Sequence, residues 1–239
     1  MTFLRVARRL AQSFGIDVSR FPGDQPTYQV VRLMRHYGIN RLLDVGANDG
    51  GYATEIRRCG YGGRIVSFEP ISAPFRKLAR RASNDADWKA LNIAVGANTA
   101  EMLINVAANS AASSSMLRML TTHENAAPDA RIVGVESVHQ FSLDDVWTDV
   151  TEANDLVFLK ADVQGYENQV LGGVSKHLDR IVGLQLELSM VPLYEGGWLY
   201  SEALEWARGH GFELMRLIPG FTDARTGQML QTDAVFFRN

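Results

Sequence analysis

Cysteine is nearly missing from this 239-residue chain, in which Cys59 stands alone. A disulfide within the chain is therefore excluded, and so is any zinc site built on several thiolates. Net charge is scarce too, at −3, which offers no general attraction to nucleic acid or to an anionic membrane. No apolar run is long enough to span a bilayer. The first fifteen residues interrupt their apolar positions with Arg5, Arg8 and Arg9. They lack the unbroken stretch of a secretory signal, so a cytoplasmic protein is expected. Internal repeats are absent. The five histidines, His36, His123, His139, His177 and His210, form no H-x-x-x-H pair, and each reads first as structural. What remains is a chain long enough for one sizeable core and short for two full domains.

Residues 3–14 have apolar side chains near helical spacing, with arginines on the other face. This amphipathic helix has two open uses. It can dock on the core or a partner subunit, which includes a homodimer, or rest on a membrane carrying a lipid-linked substrate. A second helix is expected over Thr27–Tyr37, ended by Gly38. From there strands and helices alternate, with strands at Arg41–Val45, Arg64–Glu69, Trp88–Val95, Glu101–Val106, Leu156–Ala161 and Ile181–Glu187. A further strand lies within Ile132–Phe141, and Ala107–Pro128 is a long, weakly periodic stretch. Phe212–Ile218 and Ala234–Phe237 read as a closing antiparallel pair. The runs LLDV, IVSF and LVFL are apolar throughout, as strands buried on both faces must be. The reading is an α/β domain over residues 39–239, with a mostly parallel sheet and helices on both faces, preceded by a helical extension over residues 1–38.

Ligands of open α/β sheets bind beyond the carboxyl ends of the strands. There lies the turn Asp44-Val45-Gly46-Ala47-Asn48-Asp49-Gly50, leading into a helix whose N-terminus carries free N–H groups. It is not G-x-G-x-x-G, because Asn48 takes the place of the second glycine. The acid at Asp44 would repel a pyrophosphate but could pair with an amino group. Both features favour S-adenosylmethionine, which has an α-amino acid and no phosphate, over a dinucleotide. Asp44 is then assigned near the methionine ammonium group, and the backbone at Gly46, Ala47 and Asn48 near methionine and ribose. Glu69, closing the next strand, can accept from both ribose hydroxyls. Asn92 lies where adenine would be cradled, unless its amide stabilises a turn.

Two more carboxylates, Asp162 and Glu187, follow later parallel strands and face the same cleft, where Asp162 also borders the cofactor. Burying them unpaired would be costly. They could pair with Lys160, share a proton, bind substrate hydroxyls or hold a divalent cation. Methyl transfer to an alcohol needs a positioned nucleophile and a group to take its proton. Asp162 and Glu187 are the candidates, and His123 is an outside one. Ser113–Ser115 and the aromatics Tyr194, Trp198 and Tyr200 could touch a substrate, or serve as turn and packing residues.

Together these motifs resemble the FkbM family of S-adenosylmethionine-dependent methyltransferases. The resemblance also includes Ser142-Leu143-Asp144-Asp145, Lys160 to Glu167, Leu193-Tyr194-Glu195-Gly196 and Gln231 to Phe237. It implies the class I, Rossmann-like fold with seven strands, and O-methylation of a sugar or polyketide hydroxyl. Among the acceptors, a bacterial glycolipid or oligosaccharide comes first, another small-molecule alcohol second, and a silent cofactor-binding module is the reading from another class. Related sugar O-methyltransferases hold magnesium on acids that match Asp162 and Glu187. The family often has Glu where this chain has Gln164, which removes one charge from that set.

Overall fold

Residues 25–238, with Val6 and residues 10–15, are described by a computed structural model. Half of the residues of the helix expected over residues 3–14 lie outside the described residues. The first fully described helix, α1, spans Pro26–His36. Proline suits its first turn, where an N–H would have no helical partner. Gly38, at φ 69°, follows its end in the left-handed conformation that glycine adopts without strain. Then come β1 (Arg41–Val45), α2 (Gly51–Arg58), β2 (Arg64–Phe68), α3 (Ser72–Ala82) and β3 (Trp88–Leu91). The second half of the alternation is β7 (Val157–Ala161), α6 (Glu167–Gly172), β8 (Ile181–Ser189), α7 (Tyr200–Gly209), β9 (Glu213–Pro219) and β10 (Gln231–Phe237).

These strands form one seven-stranded sheet in the order β3-β2-β1-β7-β8-β10-β9. β3, β2, β1, β7 and β8 run parallel, each to its neighbour. β10 inserts antiparallel between β8 and β9. Every residue of β1 and β7 is buried, as the apolar runs require of strands covered on both faces. Alternation of side chains sends Leu42, Ile65, Phe158 and Phe237 to one face, packed by Val31 and Met34 of α1, Ala53 and Ile56 of α2, and Leu78 of α3. Leu43, Val66, Leu159 and Leu184 point the other way, against α6, α7 and a helix α5 (Leu143–Val150).

Two features depart from the sequence reading. Helix α5 was not anticipated, although Ser142 caps it, with Oγ accepting from Asp145 N–H at 3.1 Å. The strand expected over Trp88–Val95 is broken: β3 stays in the large sheet, while β4 (Ala94–Val95) joins a small one. That sheet, β4-β6-β5, contains β5 (Ala100–Ala107) and β6 (Ile132–Phe141). The break is local chemistry. Asn92 Nδ2 donates to the carbonyls of Glu69 and Pro70, both at 2.9 Å, and turns the chain away. Between β5 and β6, residues 108–119 run back over the carboxyl ends of the large sheet, followed by a short helix α4 (Thr121–Ala126).

Candidate active site

The glycine turn after β1 is tied to the end of β2. Gly46 and Ala47 N–H groups both donate to the Phe68 carbonyl, at 3.1 and 3.0 Å. Gly46 has φ 76°, and a Cβ there would stand 1.9 Å from the Asp162 carbonyl oxygen. Only glycine permits that approach of the β1 and β7 loops. Asn48 is also left-handed, at φ 48°, a conformation asparagine tolerates better than most residues. Its N–H donates to Glu69 Oε2 at 2.9 Å, and Ile71 N–H donates to Glu69 Oε1 at 2.8 Å. Burial raises the Glu69 carboxyl to about 7, against the pull of those two N–H groups. Gly46, Asn48, Glu69, Ile93 and Ala94 line a cavity of about 280 Å³. Ser110–Ala112 and Ser114–Met116 roof it, and Asp162 and Gln164 border it. Asn48 Nδ2 joins floor to roof by donating to the Ser110 carbonyl at 3.1 Å.

A row of polar residues crosses the sheet beneath this end. Ser67, Asp44, Lys160 and Gln185 are register partners on β2, β1, β7 and β8. Trp88 Nε1–H donates to Ser67 Oγ, which donates to Asp44 Oδ2, each at 3.0 Å. Lys160 Nζ lies 3.5 Å from Asp44 Oδ1 and 3.3 Å from Asp162 Oδ2. Burial works against the Lys160 charge, but Asp162, Asp44 and Asp233 outweigh it and hold the ammonium above the usual lysine range. Burial raises the Asp44 carboxyl, and Lys160 and Ser67 only partly offset that. Tyr52 from α2 donates its hydroxyl to Gln185 Oε1 at 2.7 Å.

One step beyond this row stand three acids. Asp162 follows β7, and Glu187 and Asp233 face each other across β8 and β10. Gln164 Nε2 donates to Asp162 Oδ1 at 2.9 Å and also to Glu187 Oε2, which in addition accepts from Gln231 Nε2 at 2.7 Å. Burial, with the charges of Asp162, Asp233 and Glu167, lifts Glu187 well above the usual carboxylate range. Burial and the Asp162 charge bring Asp233 up to about 6. Glu167, buried and raised by burial to about 7, accepts from the Val163 and Gly165 N–H groups at 3.0 and 3.3 Å. It thereby shapes the turn that presents Asp162 and Gln164.

The candidates named from sequence thus divide. Gly46, Asn48, Glu69 and Asp162 border the cavity, and Glu187 joins Asp162 through Gln164. Asp44 does not reach the cavity: it is fully buried in the polar row, its carboxylate already engaged by Ser67 and Lys160. Ala47 packs its methyl in the core and spends its N–H on Phe68. Asn92 spends its N–H₂ group on the turn and is not among the residues that line the cavity. His123 is buried away from the cavity, between the rings of Tyr194 and Phe221 at 5.2 and 5.3 Å. Burial lowers it to about 4, so it is neutral near pH 7, and it is not among the residues that line the cavity.

The magnesium expected on Asp162 and Glu187 does not fit either. An amide N–H₂ donates to both carboxylates, which also lie against each other, and an ammonium faces Asp162 from the other side. Divalent cations of this kind take six or more oxygen ligands. Among the described residues no group of three His, Cys, Asp or Glu side chains could hold a metal. Sequence reasoning passed over Gln164, Gln231 and Asp233 as site residues. The signal for them was membership of the segments Lys160 to Glu167 and Gln231 to Phe237 that carry the family resemblance, with Gln164 standing where the family often has Glu.

The sheet order, the antiparallel strand in sixth place and the glycine turn facing an acid after β2 define a class I S-adenosylmethionine-dependent methyltransferase. The family model described as the methyltransferase FkbM domain matches residues 44–214. That is more than half of the chain, which belongs to the FkbM methyltransferase family. No curated protein matches the sequence. Among solved structures, the chain is similar to a fibrillarin/Nop5p complex at 11% identity and TM-score 0.49, covering 90% of this chain and 83% of that one. It is similar to magnesium protoporphyrin IX methyltransferase from Synechocystis PCC 6803 with bound S-adenosylmethionine, at 10% identity and TM-score 0.46, covering 100% and 85%. A third likeness is 1,6-didemethyltoxoflavin-N1-methyltransferase from Burkholderia thailandensis with S-adenosylhomocysteine, at 11% identity and TM-score 0.45, covering 90% and 80%.

Proposed function

We propose that the enzyme methylates a hydroxyl group, with Asp162 as the base that takes the hydroxyl proton. The observation that carries this reading is the position of Asp162: it borders the cofactor cavity, is only partly buried, and is held by Lys160 on one oxygen and Gln164 on the other. Bound S-adenosylmethionine supplies an electrophilic methyl group on a sulfonium. Glu69, Ile93 and Ala94 line the cavity; Glu69 would accept hydrogen bonds from ribose hydroxyls, and the two apolar side chains would lie beside the adenine. The Gly46–Asn48 backbone borders the methionine portion. Asp162 would orient the acceptor O–H, held by Lys160 in its carboxylate form, and would take the proton as the C–O bond forms and the methyl–sulfur bond breaks; the carboxylate and sulfonium charges are then lost together, leaving a neutral acid and a neutral thioether. No step passes through a metal.

The acceptor is proposed to be a sugar hydroxyl of a bacterial glycolipid or oligosaccharide. Carboxylates and amides side by side, as at Asp162, Gln164, Glu187 and Gln231, suit neighbouring hydroxyls. A peripheral membrane contact is supported by the exposed Val6, Leu10 and Phe14, interleaved with Arg5, Arg8 and Arg9. The test is methyl transfer from labelled S-adenosylmethionine to glycolipid extracts, free oligosaccharides and small alcohols, each with and without EDTA. Label is expected on saccharide oxygen, indifferent to EDTA. Label confined to nitrogen acceptors would overturn the O-methyl reading, and label on non-sugar alcohols alone would overturn the sugar.

A further inference from the structure

We propose that Gln164 is a positioning residue that stands where a divalent cation would: its amide bridges Asp162 and Glu187, and Tyr194 locks it in that orientation. The inference rests on the reading of Asp162 as the base, and it adds the device that holds this base without a metal. Gln164 sits at φ 57° and is 8% exposed. A left-handed glutamine that is almost buried is costly to keep unless its contacts over-determine it. Here they do. Nε2 donates to Asp162 Oδ1 and Glu187 Oε2, Oε1 accepts from the Tyr194 hydroxyl at 2.8 Å, and the backbone carbonyl accepts from Ser115 Oγ at 2.8 Å.

The orientation of the amide follows from its neighbours. A flipped Gln164 would point its oxygen at two carboxyl groups. The Tyr194 hydroxyl has one hydrogen and two oxygens within reach, Gln164 Oε1 at 2.8 Å and the Ser113 carbonyl at 3.1 Å, the shorter contact being to Gln164. Two further donors face the acids, Lys160 Nζ on Asp162 Oδ2 and Gln231 Nε2 on Glu187 Oε2, and the two carboxyl groups also meet each other directly. Donors of protein N–H thus stand on both acids where a cation would need oxygen ligands around it. The backbone carbonyl of Gln164 is joined to the roof of the cofactor cavity through Ser115. The roof and the orientation of the base therefore share one residue.

Replacing the Nε2 group by oxygen, in Gln164→Glu, sets a third carboxylate against the first two. That is the missing ligand of a cation site. Titration of Mn²⁺ into the wild-type enzyme by calorimetry should give no site, and turnover should be the same in EDTA as in Mn²⁺. Gln164→Glu should bind Mn²⁺ with a dissociation constant on the order of 10⁻⁴–10⁻³ M, and its thermal melting should rise with Mn²⁺. The inference is overturned by a wild-type Mn²⁺ site that disappears in Asp162→Asn, or by a folded Gln164→Glu that binds no Mn²⁺. Should Gln164→Glu fail to fold, Tyr194→Phe removes only the lock. It should lower kcat about tenfold, by the one hydrogen bond lost, with the affinity for S-adenosylmethionine unchanged. An unaltered kcat overturns the inference. The metal titration needs no acceptor, so an enzyme that methylates no hydroxyl at all would refute the functional reading and leave this result standing.

Discussion

The two halves of the site are built from different materials. The cofactor half, around the turn after β1 and the acid after β2, is mostly backbone: two N–H groups tied to Phe68, two more tied to Glu69, and one carboxylate. The acceptor half, at the ends of β7, β8 and β10, is all side chain: three acids, two amides, an ammonium and a phenol. Backbone geometry is set once the turn forms, so the first half is rigid whichever neighbours surround it. The second exists only when four separate segments meet. It should therefore answer more sharply to single substitutions, through turnover and pH.

The largest effect is expected where the halves meet. Asp162→Asn should lower kcat by about 10²–10⁴-fold, the usual worth of a general base, while the dissociation constant for S-adenosylmethionine, read by calorimetry, stays within about threefold. Equal losses in both would erase the distinction between the halves. Lys160→Met should remove about 3–5 kcal/mol of stability in denaturant unfolding, because Asp44 is left buried with Ser67 as its remaining partner. A loss under ~1 kcal/mol would mean that the polar row is held by other groups.

A smaller effect sharpens the comparison through pH. Glu167 has its carboxyl raised to about 7 in the folded protein, from 4.5. Its neutral form is the one folding favours, so the stability it contributes is complete below 4.5 and is lost as pH rises through 7. Glu167→Gln cannot ionise. It should match the wild type near pH 4.5 and exceed it by about 1–3 kcal/mol at pH 8. Melting curves that stay parallel across this range would show that Glu167 is not titrating there. Glu69→Gln should weaken S-adenosylmethionine binding about tenfold at pH 8, the worth of one charge-assisted hydrogen bond. Wild-type affinity should rise between pH 6 and 8 as Glu69 ionises, and the variant should be flat. The smallest change is Asn92→Ala, at about 1 kcal/mol of stability, with cofactor affinity unaltered because the amide serves the turn.

The same contrast explains what the sequence made legible. β1, β2, β7 and β8 announce themselves by apolar runs, and the glycine turn with Glu69 is a local pattern at strand ends. The fold and the cofactor half follow from such near-neighbour signals. Asp44 reads as ligand-facing from its place at a strand end, whereas the fold buries it beside Lys160 on the adjacent strand, outside the cavity lining. Asn92 was ambiguous until its two carbonyl partners were known. His123 carries no sign in the sequence that Tyr194 and Phe221 enclose it. The role of Gln164 depends on Tyr194, 30 residues away, and on Glu187, 23 residues away. No spacing rule brings those together, since they meet only through the order of β7, β8 and the loop that follows.

The division of labour is tested most directly by methyl-transfer rate as a function of S-adenosylmethionine concentration, on Glu69→Gln and Asp162→Asn in parallel. Glu69→Gln should recover most of the wild-type rate once the cofactor saturates, and Asp162→Asn should stay slow at every concentration. Recovery of Asp162→Asn at high cofactor, with Glu69→Gln remaining slow, would contradict the account.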